Sequence, residues 1–182
     1  MIVMNDDKTT SVVLRVRGLC FAHPPRALFN NLSVDIPSGV SLIRGEDSCG
    51  KTSLLRLFAG QLAADSGQLQ IRDSEVGQHA EAYCRQVFWI DPRSDKVDQL
   101  SPHAYFETVR QQYPEFDDAV LAEVVSGLAL TPHLDKALYM LSTGSKRKVW
   151  LAAAFASGAA LTLLDEPFAA LDHTSIQFVM HL

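Results

Sequence analysis

Three observations predict an α/β fold with an inserted α-helical subdomain. A glycine-rich stretch, GEDSCGKTS from Gly45 to Ser53, stands between a short apolar strand and a helical pattern. Far downstream, a wholly apolar strand runs into a carboxylate pair in LTLLDEP, Leu161 to Pro167. Between them, residues 93–145 read as short helices punctuated by prolines, a subdomain set into a single domain, 1–182.

Taken in order, Ser11 to Arg17 alternates β-branched and polar residues, and with Leu32 to Ile36 it reads as the first pair of strands. Pro37-Ser38-Gly39 makes a turn, and Val40 to Arg44 is a short apolar strand leading straight into the glycine loop. Behind Lys51, Leu54, Leu55 and Phe58 recur at helical spacing, and Gly60 stands where a left-handed residue ends the helix. Gln68 to Arg72 and Cys84 to Ile90 read as two further strands, the second ending at Asp91-Pro92. Ser101-Pro102 opens a helix, Pro114 breaks it, and Phe116 to Val125 is an amphipathic helix with an acidic start. Pro132 interrupts the segment again. Ser142 begins a helix through about Phe155, and Ala159 to Leu164 is a buried strand. The nearly apolar run Val149 to Leu164 is shorter than the ~20 residues of a membrane-spanning helix and carries Ser157, Gly158 and Thr162.

Composition excludes several classes. A formal net charge of −5 argues against non-specific nucleic-acid binding, which needs basic surface. The six histidines are scattered without metal-ligand spacing. The three cysteines include no C-x-x-C pair, and the N-terminus MIVMNDDKTT lacks the charged-then-apolar layout of a leader. Both features point to a reducing cytosol.

The chemistry sits in three motifs. Gly45 and Gly50 permit a backbone that aims several N–H groups at one point, and the helix that follows adds its dipole. A loop so built, with Ser48, Cys49 and Ser53 around it, cradles a phosphate chain; Lys51 reaches the β- and γ-phosphates and the Thr52 hydroxyl takes Mg²⁺. A glycine turn before a helix can be merely structural, but strand, loop and helix together favour the nucleotide reading. Glu46 and Asp47 keep their carboxylates in water by facing outward. Ser48 stands where glycine would be safer, so a strained φ is expected there. Cys49 is either a small residue tolerated in a tight loop or an alkylatable thiol that bound nucleotide protects. In LTLLDEP, Asp165 is placed to hold the metal through water and Glu166 to polarise the attacking water. LSTGS, Leu141 to Ser145, pairs a serine cap with a glycine at a helix start, a generic anion site that is weak alone.

In this order the three motifs resemble the nucleotide-binding domains of ATP-binding-cassette (ABC) ATPases, which implies a P-loop NTPase (RecA-like) core with an antiparallel β portion and an inserted α-helical subdomain. GEDSCGKTS looks like their Walker A, LTLLDEP like Walker B, LSTGS like the signature, and AALD, Ala169 to Asp172, like the D-loop. LLRLFAG and LLDEPFAALD look similar to the haem-exporter ATPases of cytochrome c maturation. The resemblance implies a homodimer or ABC heterodimer paired head to tail through ATP, each nucleotide lying between one chain's Walker A and the partner's Ser142 and Gly144. Asp172 would lie at that interface, and an aromatic ring, Phe21 or His23, would stack on adenine. It further implies Mg²⁺, a transmembrane permease subunit, and a cytoplasmic, peripheral location on the inner face of the membrane. Tyr105 and Phe106 could line the groove for that subunit or could be subdomain core.

Two departures stand out. Asp91 occupies the place of the Q-loop glutamine, where its carboxylate could approach the metal. The family's switch histidine lies a further helix and strand beyond the D-loop, so the resemblance implies that the C-terminal part of the core is missing; His181 is then an ordinary helix-end residue. Poor hydrolysis by the chain alone and an open sheet edge are expected. The alternatives are a non-hydrolysing or regulatory nucleotide-binding module and a soluble, non-transport ABC ATPase.

Overall fold

The computed structural model describes residues 2–5 and 11–182, so part of the reading of the first ten residues as leader-free lies outside it. The chain divides into two compact units. The first comprises residues 1–89 and 159–165; the second comprises 90–158 and 166–182, and so contains the whole of the expected 93–145 segment.

The first unit holds two four-stranded sheets. One is antiparallel: β2 (Val12–His23) and β3 (Arg26–Pro37) form a long hairpin, and β2 also pairs with β5 (Ser66–Ile71), which pairs with β6 (Ser74–Glu75). This is the expected antiparallel portion, with strands longer than the alternation alone marks. The other sheet runs in the order β4 (Gly39–Leu42), β1 (Ile2–Asn5), β8 (Leu161–Leu164), β7 (Val87–Trp89). β7 and β8 are parallel, and β1 pairs antiparallel with both β4 and β8. β4 is apolar as expected, yet Val40 and Leu42 are more than half exposed, because β4 is the edge strand.

Helix α1 (Lys51–Phe58) puts Leu54, Leu55, Leu57 and Phe58 into a core shared with Leu14, Val16 and Leu19 of β2 and Leu161 and Leu163 of β8. Gly60, at φ +66, ends it: its N–H bonds the Leu57 carbonyl and the Gln61 N–H bonds that of Arg56. The expected strand from Cys84 is a helix at its start, α2 (Ala80–Cys84), and a strand only over β7. In that helix Tyr83 is fully buried and its hydroxyl donates to the Phe58 carbonyl at 2.7 Å.

The second unit is helical. α3 (Pro102–Gln112) is capped by Ser101, whose hydroxyl accepts the Ala104 N–H, and α4 (Asp118–Gly127) by Asp117, which accepts from Ala119 and Val120. α5 (Thr143–Ala156) is buried along Val149 to Ala154, with the small side chains of Ala152, Ala153 and Ala154 allowing close helix contact. The apolar run breaks at Ser157-Gly158 as expected, Gly158 taking φ +62. α6 (His173–Val179) lays Phe178 against Gly127 of α4. Tyr105 and Phe106 are buried at 6% and 2% exposure, so they are subdomain core and not the lining of an open groove.

Candidate nucleotide site

β4 delivers the chain to the glycine loop, and α1 leaves it. Gly50 caps α1 at φ +100, a backbone state that a side chain would strain, and packs against Leu28 and Phe29 of β3. Ser48 adopts φ +60, the strain expected for a non-glycine residue there. The Cys49 sulfur folds back over Gly45, where an added Cβ would approach it to 2.6 Å. Glu46 and Asp47 face outward, Asp47 fully exposed.

The Lys51 ammonium turns back into the loop and donates to the carbonyls of Gly45, at 2.9 Å, and Glu46, at 2.7 Å. Asp47 lies 4.0 Å away, a weak attraction at so exposed a carboxylate. The cation is therefore held at the mouth of the loop at the start of α1, where the helix dipole also favours an anion.

β8 brings the acidic motif to the same place. The Thr52 hydroxyl donates to Asp165 Oδ2 at 2.6 Å, across 113 positions of sequence. Hydroxyl and carboxylate are hard oxygen donors of the kind that, with phosphate oxygens and water, suit Mg²⁺. Beside them Ser53 Oγ lies 3.4 Å from His23 Nε2. Of the two candidate rings, Phe21 is buried in the core, while His23 is exposed and meets Phe21 edge-on at 4.8 Å.

Gly45, Ser48, Cys49, Gly50, Lys51, Thr52, Ser53 and Asp165 thus lie together in the first unit. Asp91, Ser142, Gly144 and Glu166 belong to the second. Asp91 closes its own turn, Oδ1 accepting the Arg93 N–H at 3.0 Å. Ser142 caps α5, its hydroxyl accepting the Ser145 N–H at 3.1 Å. Gly144 is required by a neighbour: an added Cβ would lie 2.5 Å from the Ala170 carbonyl oxygen. Glu166 takes φ +48, and its carbonyl accepts a hydrogen bond from the Arg147 guanidinium. Asp172 caps α6 through the Ser175 N–H and pairs with Lys148 at 2.7 Å. Lys148 first, then the Ser175 N–H and hydroxyl, hold its carboxyl well below the usual carboxylate range.

The basic run Lys146 to Lys148 carries no expected role in the sequence, because consecutive charges ordinarily mark a solvated face. Here each cation ties down a different segment. Lys146 pairs with Asp98 at 2.7 Å, Arg147 holds Glu166 and Lys148 holds Asp172. The signal in the sequence is three successive cations, Lys146 to Lys148, in a helix whose first turn carries no acidic residue.

Comparison with known proteins decides the family: residues 29–169 match the model of the family described as ABC transporter. The chain belongs to the ABC transporter family. As an ABC protein it is an ATP-binding ATPase domain with a P-loop NTPase fold. It is 31% identical over 169 residues to the cytochrome c biogenesis ATP-binding export protein CcmA of Tatumella citrea, covering 92% of this chain and 80% of that one. The protein of the same name from Pseudomonas syringae pv. syringae (strain B728a) is 34% identical, with 90% and 78% covered. Among solved structures, an ATP-binding subunit of an ABC transporter superposes with a TM-score of 0.77 at 19% identity, covering 93% of this chain and 72% of that one. An ATP-binding cassette of an ABC transporter gives 0.69 at 16% identity, with 94% and 77% covered. At these identities the structures speak for the fold alone. Among the described residues no helix is long and apolar enough to cross a membrane.

Proposed function

We propose that this ABC domain binds MgATP on the Gly45–Ser53 loop and hydrolyses it to drive a transmembrane permease. The observation that carries the reading is the 2.6 Å contact of Thr52 with Asp165, which supplies two oxygen donors beside a lysine already turned into the glycine loop. Lys51 would exchange loop carbonyls for phosphate oxygens, and Thr52 and Asp165 would hold Mg²⁺. The metal would supply charge neutralisation at the phosphates. Glu166, next to Asp165 in the chain, would accept the proton of the attacking water, and the Arg147 bond to its carbonyl holds that backbone. His23, exposed beside Ser53, is the ring available for adenine.

Ser142 and Gly144 would face the nucleotide of a second ABC domain, identical or not, in a head-to-tail dimer. The relatives' name, export protein of cytochrome c biogenesis, supports export across a membrane, with this domain at the cytoplasmic face. A phosphate-release assay against protein concentration tests the reading. A rate rising faster than linearly, abolished in Lys51→Ala, is expected, with Glu166→Gln trapping an ATP-bound dimer. ATP binding without release, unchanged by Glu166→Gln, would instead support a non-hydrolysing module.

A further inference from the structure

The hairpin between β2 and β3 closes over the phosphate loop. His23, at the end of β2, meets Ser53; Leu28 and Phe29, on β3, pack against Gly50. At the start of β3, Arg26 Nη1 donates to the Ser48 carbonyl at 3.3 Å, across 22 positions of sequence. Ser48 is the loop's non-glycine residue in the left-handed state, so Arg26 grips a strained peptide of the loop.

The geometry of a peptide plane gives that grip a consequence. In a trans peptide the C=O and the next N–H point in opposite directions. With the Ser48 carbonyl turned toward Arg26, the Cys49 N–H points the other way, into the loop. There it makes a long bond to the Glu46 carbonyl, 3.4 Å, beyond the usual N–H···O range. The same carbonyl accepts from Lys51 at 2.7 Å. An anion in the loop would therefore take both donors from one carbonyl, and the N–H is already aimed at it. Charge acts in the same direction: Glu46 and Asp47 outnumber Lys51 in this loop, and Arg26 adds the cation that balances them.

We propose that Arg26 is a positioning residue of the nucleotide site, locking the Ser48–Cys49 peptide so that the Cys49 N–H serves the phosphates, and offsetting the loop's two carboxylates. The inference rests on the nucleotide reading and adds to it a residue outside the motif. Its specificity is for the phosphate chain, not for the base.

The test compares wild type, Arg26→Ala and Arg26→Lys by displacement of a fluorescent ATP analogue, using MgATP, inorganic tripolyphosphate and adenosine as competitors. Arg26→Ala is expected to weaken MgATP and tripolyphosphate about fivefold, to leave adenosine unchanged, and to leave the melting temperature unchanged because Arg26 is exposed. Lysine can make the same single bond and carries the same charge, so Arg26→Lys is expected to stay within about twofold of wild type. Equal MgATP affinity in wild type and Arg26→Ala would overturn the role of Arg26 and leave the nucleotide reading standing. Equal weakening of adenosine, or a lysine variant as weak as alanine, would overturn it too. A wild-type chain that binds neither ATP nor tripolyphosphate would overturn both.

Discussion

Replacing Thr52 by valine removes one hydroxyl and keeps the branched shape, so it isolates the contact that joins the two motifs. The lost bond is short, 2.6 Å, part-buried, and made to a carboxylate. Bonds to charged groups are worth about 1.5–3 kcal/mol, and partial exposure places this one near the lower end. Binding should lose a similar amount, because the hydroxyl that would ligate Mg²⁺ is the one removed; about 1.4 kcal/mol is a tenfold weaker Kd. The assay is a titration of a fluorescent ATP analogue with Mg²⁺ and again with EDTA. Thr52→Val should bind about tenfold more weakly with Mg²⁺ and within about twofold of wild type in EDTA. Equal affinity in Mg²⁺, or the same loss in both media, would refute the assignment of Thr52 to the metal.

Two predictions address the second unit. Gly158→Ala should destabilise by about 3 kcal/mol in urea unfolding, since φ is +62 and an added Cβ would lie 2.2 Å from the Glu115 carbonyl oxygen, a backbone atom that cannot swing aside; Gly77→Ala, with open space around it, is the near-neutral control. Asp172→Asn should lower stability at neutral pH: the folded carboxyl titrates below its unfolded value, so its contribution is full above the ordinary carboxylate range and is lost as pH falls through the depressed value. The gap between variant and wild type should close on acidification below about pH 4, and a gap independent of pH would contradict the ion pair with Lys148.

Much of the candidate site is legible in the sequence because its signals are local. A glycine loop between strand and helix, a serine or aspartate ahead of a helix, and an apolar strand ending in carboxylates each follow from the conformations of a few adjacent residues. Hence the loop, the caps Ser101 and Ser142, the Gly60 stop and the Ser157-Gly158 break all stand where the sequence puts them, and even the strain at Ser48 was foreseeable from its side chain. Motif order carried the family as well.

Other features depend on what lies opposite. Whether Tyr105 and Phe106 form a groove or a core is set by burial, not by their apolarity, and the short helix at Ala80–Cys84 places Tyr83 against the Phe58 carbonyl, 25 positions away. That β1 would enter between the strand of the phosphate loop and the strand of the acidic motif follows from backbone hydrogen bonding, which leaves no periodicity of its own in four residues. The pairing of Thr52 with Asp165, the grip of Arg26 on Ser48 and the three separate ties of Lys146, Arg147 and Lys148 join residues far apart in the chain. The sequence alone names the candidates for phosphate and metal; which of them meet is settled in three dimensions, because hydrogen bonds and ion pairs act over a few ångströms of space and not over positions along a chain.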